Sequence, residues 1–117
     1  MRAVDRTKES VGEFLLIESE GPFGTGCERF VSEAVHLVRA RHWTSLFLIE
    51  NAVAAAVPGI LPRLDEFVAE GGSLLVDAFS LHQRALGSDD VRADAELVDM
   101  GAVADRLLDA QVKVVWH

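Results

Sequence analysis

Three short runs of apolar residues constrain this chain most: Phe14-Leu15-Leu16-Ile17, Leu46-Phe47-Leu48-Ile49 and Leu74-Leu75-Val76. Each is too short for a buried helix and lacks the alternation of a strand with one wet face. Each therefore reads as a strand covered on both sides. Between them the hydrophobic period becomes helical. Phe30, Val31, Ala34, Val35 and Val38 recur at that spacing between Gly26 and Arg41, and Ile60, Leu61, Leu64, Phe67 and Val68 form a second stripe. Pro62 is tolerated in the first turn of the second helix, and Gly71-Gly72 closes it. The alanine-rich stretch Asn51 to Val57 reads as a short helix stopped by Pro58-Gly59. Ser80 to Leu86 supplies another turn or two, Gly87 to Asp94 reads as an acidic surface loop, and a short fourth strand is placed at Leu97-Val98. Asp99 caps a last helix bearing Met100, Val103, Ala104, Leu107 and Leu108, and Val112 to Trp116 is the final strand, interrupted by Lys113. Strand–helix alternation with short connections means βαβ units. The expected fold class is α/β: one domain over residues 13–117, with a mostly parallel sheet and helices on both faces in flavodoxin-like layering. Residues 1–12 are expected to be disordered.

With 117 residues the chain can build one core and not two. Eleven Lys and Arg against nineteen Asp and Glu give a net charge of −8, which argues against a nucleic-acid or anionic-membrane partner. The excess is uneven, because residues 59–117 hold five basic and eleven acidic side chains. The single cysteine, Cys27, excludes an internal disulfide and any multi-cysteine metal site. No apolar run approaches the ~18–20 residues of a membrane span, and Met1 to Glu13 has no signal-like apolar region. A cytoplasmic protein without cofactor or metal is expected.

In open α/β sheets, ligands bind beyond the carboxyl ends of the strands. Three segments fall there: Glu18 to Cys27, Glu50 to Val53 and Asp77 to Arg84. The loop Gly21-Pro22-Phe23-Gly24-Thr25-Gly26-Cys27 has the glycine spacing of a phosphate loop, but Cys27-Glu28 stands where Lys-Ser/Thr is needed. The dinucleotide pattern fails too, since Arg29 replaces its third glycine. The loop is then a turn whose glycines permit positive φ before a helix. Cys27 falls in the first turn of that helix, where free N–H groups and Arg29 favour a thiolate while Glu28 opposes it. Equally, a lone cysteine can be a small buried hydrophobe.

Asp77 directly follows the third strand, with Ser80, His82 and Arg84 close behind. A carboxylate, hydroxyl, imidazole and guanidinium together can hold a polar ligand or transfer a proton. The structural alternative has Asp77 capping the next turn and pairing with Arg84. His36, His42 and His117 show no metal-ligand spacing. Asp89, Asp90, Asp94, Glu96 and Asp99 lack the glycine and spacing of a calcium loop, leaving a solvated face or a docking surface for a basic partner.

Several segments resemble one family in order and spacing. Glu20-Gly21-Pro22-Phe23-Gly24 after the first strand, Leu48-Ile49-Glu50-Asn51-Ala52-Val53 at the second, Asp77-Ala78-Phe79-Ser80 through Gln83-Arg84 at the third, and Gly101 to Trp116 at the end are similar to the DsrE/DsrF-like proteins, small sulfur-relay subunits that include the Tus proteins. The resemblance covers residues 14–117. It implies a parallel five-stranded α/β fold, assembly with like or unlike DsrE-like subunits, and sulfur carried as a cysteine persulfide to a partner carrier protein. It marks Glu20, Asn51, Asp77, Ser80, His82 and Arg84 as family-site positions. Asp77, however, occupies the place of the persulfide cysteine, and Ala85 that of a customary glycine. A carboxylate cannot hold a persulfide.

The resulting expectation is a non-catalytic or divergent DsrE-like subunit that works by oligomerisation and protein–protein contact. Phe23, Phe79 and Leu81, in loops or at strand ends, are the expected subunit contacts. One alternative is a sulfurtransferase using Cys27, whose thiol pKa Asp77 would raise by charge repulsion if the two approach. The other is a polar-ligand module around Asp77, Ser80 and Arg84.

Overall fold

The three apolar runs lie side by side at the centre of one sheet. The computed structural model, which describes residues 12–117, places β1 at Glu13–Glu18, β2 at Trp43–Leu48, β3 at Ser73–Asp77, β4 at Ala95–Val98 and β5 at Val112–Trp116. The disorder expected of residues 1–12 falls, Gly12 apart, outside the described residues. Strand order is β4-β3-β2-β1-β5, and every neighbouring pair is parallel. The helices are α1 (Thr25–Arg39), α2 (Arg63–Ala69), α3 (Ala78–Gln83) and α4 (Met100–Leu107), with a 3-10 helix at Glu50–Ala56 where the alanine-rich stretch predicts a helix.

Alternate residues of each strand serve opposite layers. Leu16, Leu46, Leu48, Leu74 and Val76 pack beneath α1, α2, α3 and the 3-10 helix. Leu15, Ile17, Phe47, Ile49 and Leu75 face the other way and meet Val103 and Leu107 of α4. Both faces of β1 to β3 are thus covered, which is why their sequences run continuously apolar. β2 starts at Trp43, earlier than its apolar run, because the ladder to β1 pairs Thr44 with Phe14 and Ser45 with Leu15. Those two polar side chains are buried and conceal the strand from a hydrophobicity pattern.

Leu81 is a correction. Its neighbours Phe23 and Phe79 are 83% and 65% exposed, but Leu81 is buried in the core beneath α3. The helix begins immediately after β3, so position 81 turns inward toward the sheet. It is not part of a contact surface.

Three helices end in the same hydrogen-bonding motif. After α3, Ala85 N–H donates to His82 and Leu86 N–H to Leu81; Arg41 and His42 do the same behind α1, and Gly71 and Gly72 behind α2. The motif puts its first residue at positive φ: 109° for Gly71, 72° for Arg41 and 57° for Ala85. A Cβ is costly there, and glycine is the usual occupant. Ala85→Gly is accordingly expected to stabilise the protein by about 0.5–1 kcal/mol, net of the greater freedom of glycine in the unfolded chain. A urea midpoint at or below that of the wild type contradicts this.

Candidate functional site

Glu18, Asp77 and His117 all sit at the carboxyl end of the sheet, but they form two separate constellations. The first is built on β3. Asp77 N-caps α3: its Oδ2 accepts from the Ser80 backbone N–H at 3.1 Å and from the Ser80 hydroxyl at 2.5 Å. Ser80 Oγ in turn accepts from Glu50 N–H at 2.8 Å, tying the 3-10 helix to α3. Arg84 does not pair with Asp77. Its guanidinium donates to Asn51 Oδ1 at 2.9 Å and to the Ser80 carbonyl at 3.1 Å. Asp77 is 5% exposed, and its Oδ1 is buried without a hydrogen-bond partner among the described residues. His82 is solvent-exposed and forms no part of this network.

The second constellation was only half visible in the sequence. Glu18 ends β1 on the α1 side of the sheet and is 0% exposed. Three donors surround its carboxylate. His117 Nδ1 lies 2.9 Å from both oxygens, Glu20 N–H donates to Oε1 at 3.1 Å, and the Cys27 thiol donates from the first turn of α1. His117 is fixed by its backbone: its N–H donates to Ile17 at 2.8 Å, and its carbonyl accepts from Ser19 N–H at 3.0 Å. The β1–β5 ladder therefore extends one residue past Trp116 and holds the ring over Glu18.

Cys27 lies in the first helical turn as predicted, but its surroundings are not those of a reactive thiol. It is 1% exposed, and its pKa is pushed up to about 12 by burial first, then by the charge and hydrogen bond of Glu18, then by Glu20. The repelling carboxylates belong to β1 and its following loop. Asp77 is not among them.

The glycines of this loop also act differently from expectation. None of Gly21, Gly24 and Gly26 has positive φ. Gly26 provides room: a Cβ there would come within 2.9 Å of the His117 ring. Beside that ring, Gly26, Arg29, Phe30, Glu33 and His117 line a cleft of about 300 Å³, with Phe30 and His117 stacked at 5.2 Å. Among the described residues, no group of three or more His, Cys, Asp or Glu side chains could hold a metal ion. Nor is any described helix long and apolar enough to cross a membrane.

Glu18 and His117 are the site residues that sequence reasoning missed. The rule that drew attention to Asp77, a polar residue closing a strand run, applies equally to Glu18 after Ile17 and to His117 after Trp116.

This architecture is the DsrE-like fold implied by the sequence resemblance. The chain is similar to the YchN protein of E. coli, with a TM-score of 0.82 and 17% identity, over 92% of this chain and 100% of that one. It is also similar to MTH1491, a protein of unknown function from Methanobacterium thermoautotrophicum, with a TM-score of 0.77 and 10% identity, over 90% of this chain and 99% of that one. No protein-family model matches the chain, and no curated protein does. At these identities the likeness establishes the fold.

Proposed function

We propose that this chain is a DsrE-like subunit that works by protein–protein contact within a sulfur-relay-type assembly in the cytoplasm and carries no persulfide itself. The carrying observation is the state of its only thiol. Cys27 is buried, donates to Glu18 and stays protonated at neutral pH, so it lacks the thiolate that sulfur transfer requires. Asp77, at the family's sulfur position, is engaged as a helix cap. Phe23 and Phe79 project from the connections after β1 and β3 and offer apolar contacts to like or unlike DsrE-like subunits. Incubation with a persulfide donor, followed by intact-mass measurement, is expected to show no added sulfur, and light scattering to show an oligomer that Phe23→Ser with Phe79→Ser weakens. A stable gain of one sulfur that Cys27→Ala abolishes, or a strict monomer, overturns the proposal.

One observation favours a second reading, a polar-ligand module at Asp77, Ser80 and Arg84: the buried Oδ1 of Asp77 lacks a partner. A bound hydrogen-bond donor would relieve that cost. The expected result is a thermal shift with a polar metabolite that disappears in Asp77→Ala. No shift across a broad metabolite panel removes this reading.

A further inference from the structure

The strand order turns at β1. From β1 the chain steps through β2, β3 and β4 on one side, and β5 then returns to β1's other edge. In open α/β sheets the ligand crevice lies at such a turning point, outside the carboxyl ends of the two strands. Here those two ends carry Glu18 and His117, and the cleft opens beside them.

We propose that Glu18 and His117 form a proton-accepting dyad serving this cleft, and that its ligand class is a small aromatic molecule bearing a weakly acidic hydroxyl. An ionised carboxylate only accepts, so with both oxygens 2.9 Å from Nδ1 the ring proton resides on Nδ1. Nε2 is then the basic nitrogen, and it has no hydrogen-bond partner among the described residues. Glu18, also held by Glu20 N–H and the Cys27 thiol, fixes the ring tautomer and orientation and stabilises the imidazolium once a proton arrives. A buried carboxylate behind a catalytic histidine has the same role in acyl-transfer triads.

The cleft walls define the ligand. About 300 Å³ suits a single substituted ring, and Phe30 supplies an aromatic wall. Arg29 lines the cleft without an ion-pair partner among the described residues and can receive an anion. Glu33 on α1 and Glu20 beside Gly26 oppose a ligand that arrives already charged, such as a carboxylate. A neutral hydroxyl that passes its proton to Nε2 adds no net charge to the cleft, because the imidazolium balances the phenolate. The step moves one proton from the ligand O–H to Nε2, and the bonding pair stays on oxygen. It leaves a phenolate facing Arg29 and an imidazolium facing Glu18, with no other bond made or broken. His117 is the acceptor, and Glu18 is a positioning residue. Neither role involves sulfur, so the persulfide experiment leaves this proposal standing.

The test uses the whole chain and para-nitrophenol, whose phenolate absorbs visibly, at the lowest pH at which nitrogen-15 NMR shows the His117 ring neutral. Saturable growth of phenolate absorbance is expected with the wild type, equivalent to a drop of about one unit in the probe's pKa. His117→Gln and Arg29→Gln are expected to abolish it. Gly26→Ala should do the same by pushing the ring off its axis, while both dyad members remain present. Nitrogen-15 NMR of the wild type should show the neutral His117 ring protonated on Nδ1, and Glu18→Gln should cut the phenolate yield roughly tenfold. No phenolate with the wild type, an equal signal in His117→Gln, or a ring protonated on Nε2 overturns the proposal. The NMR result is decisive even if Glu18→Gln fails to fold.

Discussion

Gly72→Ala is expected to destabilise the protein by roughly 2–3 kcal/mol, near the top of the range for overpacking. Gly72 follows α2, and its backbone lies against the ring of Phe67. A Cβ built there would come within 2.3 Å of two ring carbons. A ring in open space would swing aside at little cost. Phe67 cannot, because it is fully buried beneath α2 among Leu64, Leu74 and the other residues of that layer. The two positions should therefore couple. In a Phe67→Leu background, which already bears the cost of a smaller core residue, Gly72→Ala should be far milder. Urea unfolding of the wild type, both single variants and the double variant measures the coupling. Equal costs in the two backgrounds refute the steric account.

The second large effect is alkaline. In the unfolded chain the Cys27 thiol ionises around its ordinary 9.0, whereas in the fold burial, Glu18 and Glu20 push it up to about 12. The folded state therefore holds this proton more tightly than the unfolded state. Below pH 9 both states are protonated and the group does not change stability with pH. Between pH 9 and 12 the unfolded state loses its proton first, so stability falls as pH rises, by about 1 kcal/mol at pH 10 and roughly 4 kcal/mol at pH 12. Cys27→Ala should flatten that part of the stability profile. The same shift should slow alkylation by iodoacetamide in the native state roughly a thousandfold relative to the unfolded chain, through loss of thiolate alone. Mass spectrometry of quenched samples reads the rates. Comparable native and unfolded labelling would show that Cys27 is accessible and ionised, and the non-carrier reading would fall with it.

What could be read along the chain depended on the kind of signal. The strands β1 to β3 announce themselves because both their faces are buried, which removes the polar positions that would break an apolar run. The start of β2 leaves no such run, since parallel pairing buries Thr44 and Ser45 through the backbone ladder rather than through hydrophobicity. Asp99 reads as a cap because capping is local: it accepts from Ala102 N–H at 2.8 Å, three residues on. Asp77 is equally local: its cap accepts from Ser80 N–H at 3.1 Å, three residues on.

Long-range partners left no such trace. Arg84 chose Asn51, thirty-three positions away, over Asp77, and Arg92 in the acidic loop pairs with Asp65 at 2.7 Å as well as with Asp94 at 2.6 Å. Cys27 shows the limit most clearly. By sequence it had a helix N-terminus and Arg29 in its favour, both of which lower a thiol pKa. The fold buried the thiol and set the Glu18 carboxylate against it, and the sign reversed.

By itself, then, the sequence determined the α/β class, the central strands, the helix caps and the position of the sole thiol. These follow from periodicity and from interactions within a few residues. Only the tertiary structure decided what the thiol and the carboxylates do. Glu18 and His117 are separated by ninety-nine positions. They meet because β1 and β5 pair in register at the point where the sheet reverses its order. No local pattern records which strands become neighbours, and the meeting of Glu18 with His117 beside the cleft depends on that pairing.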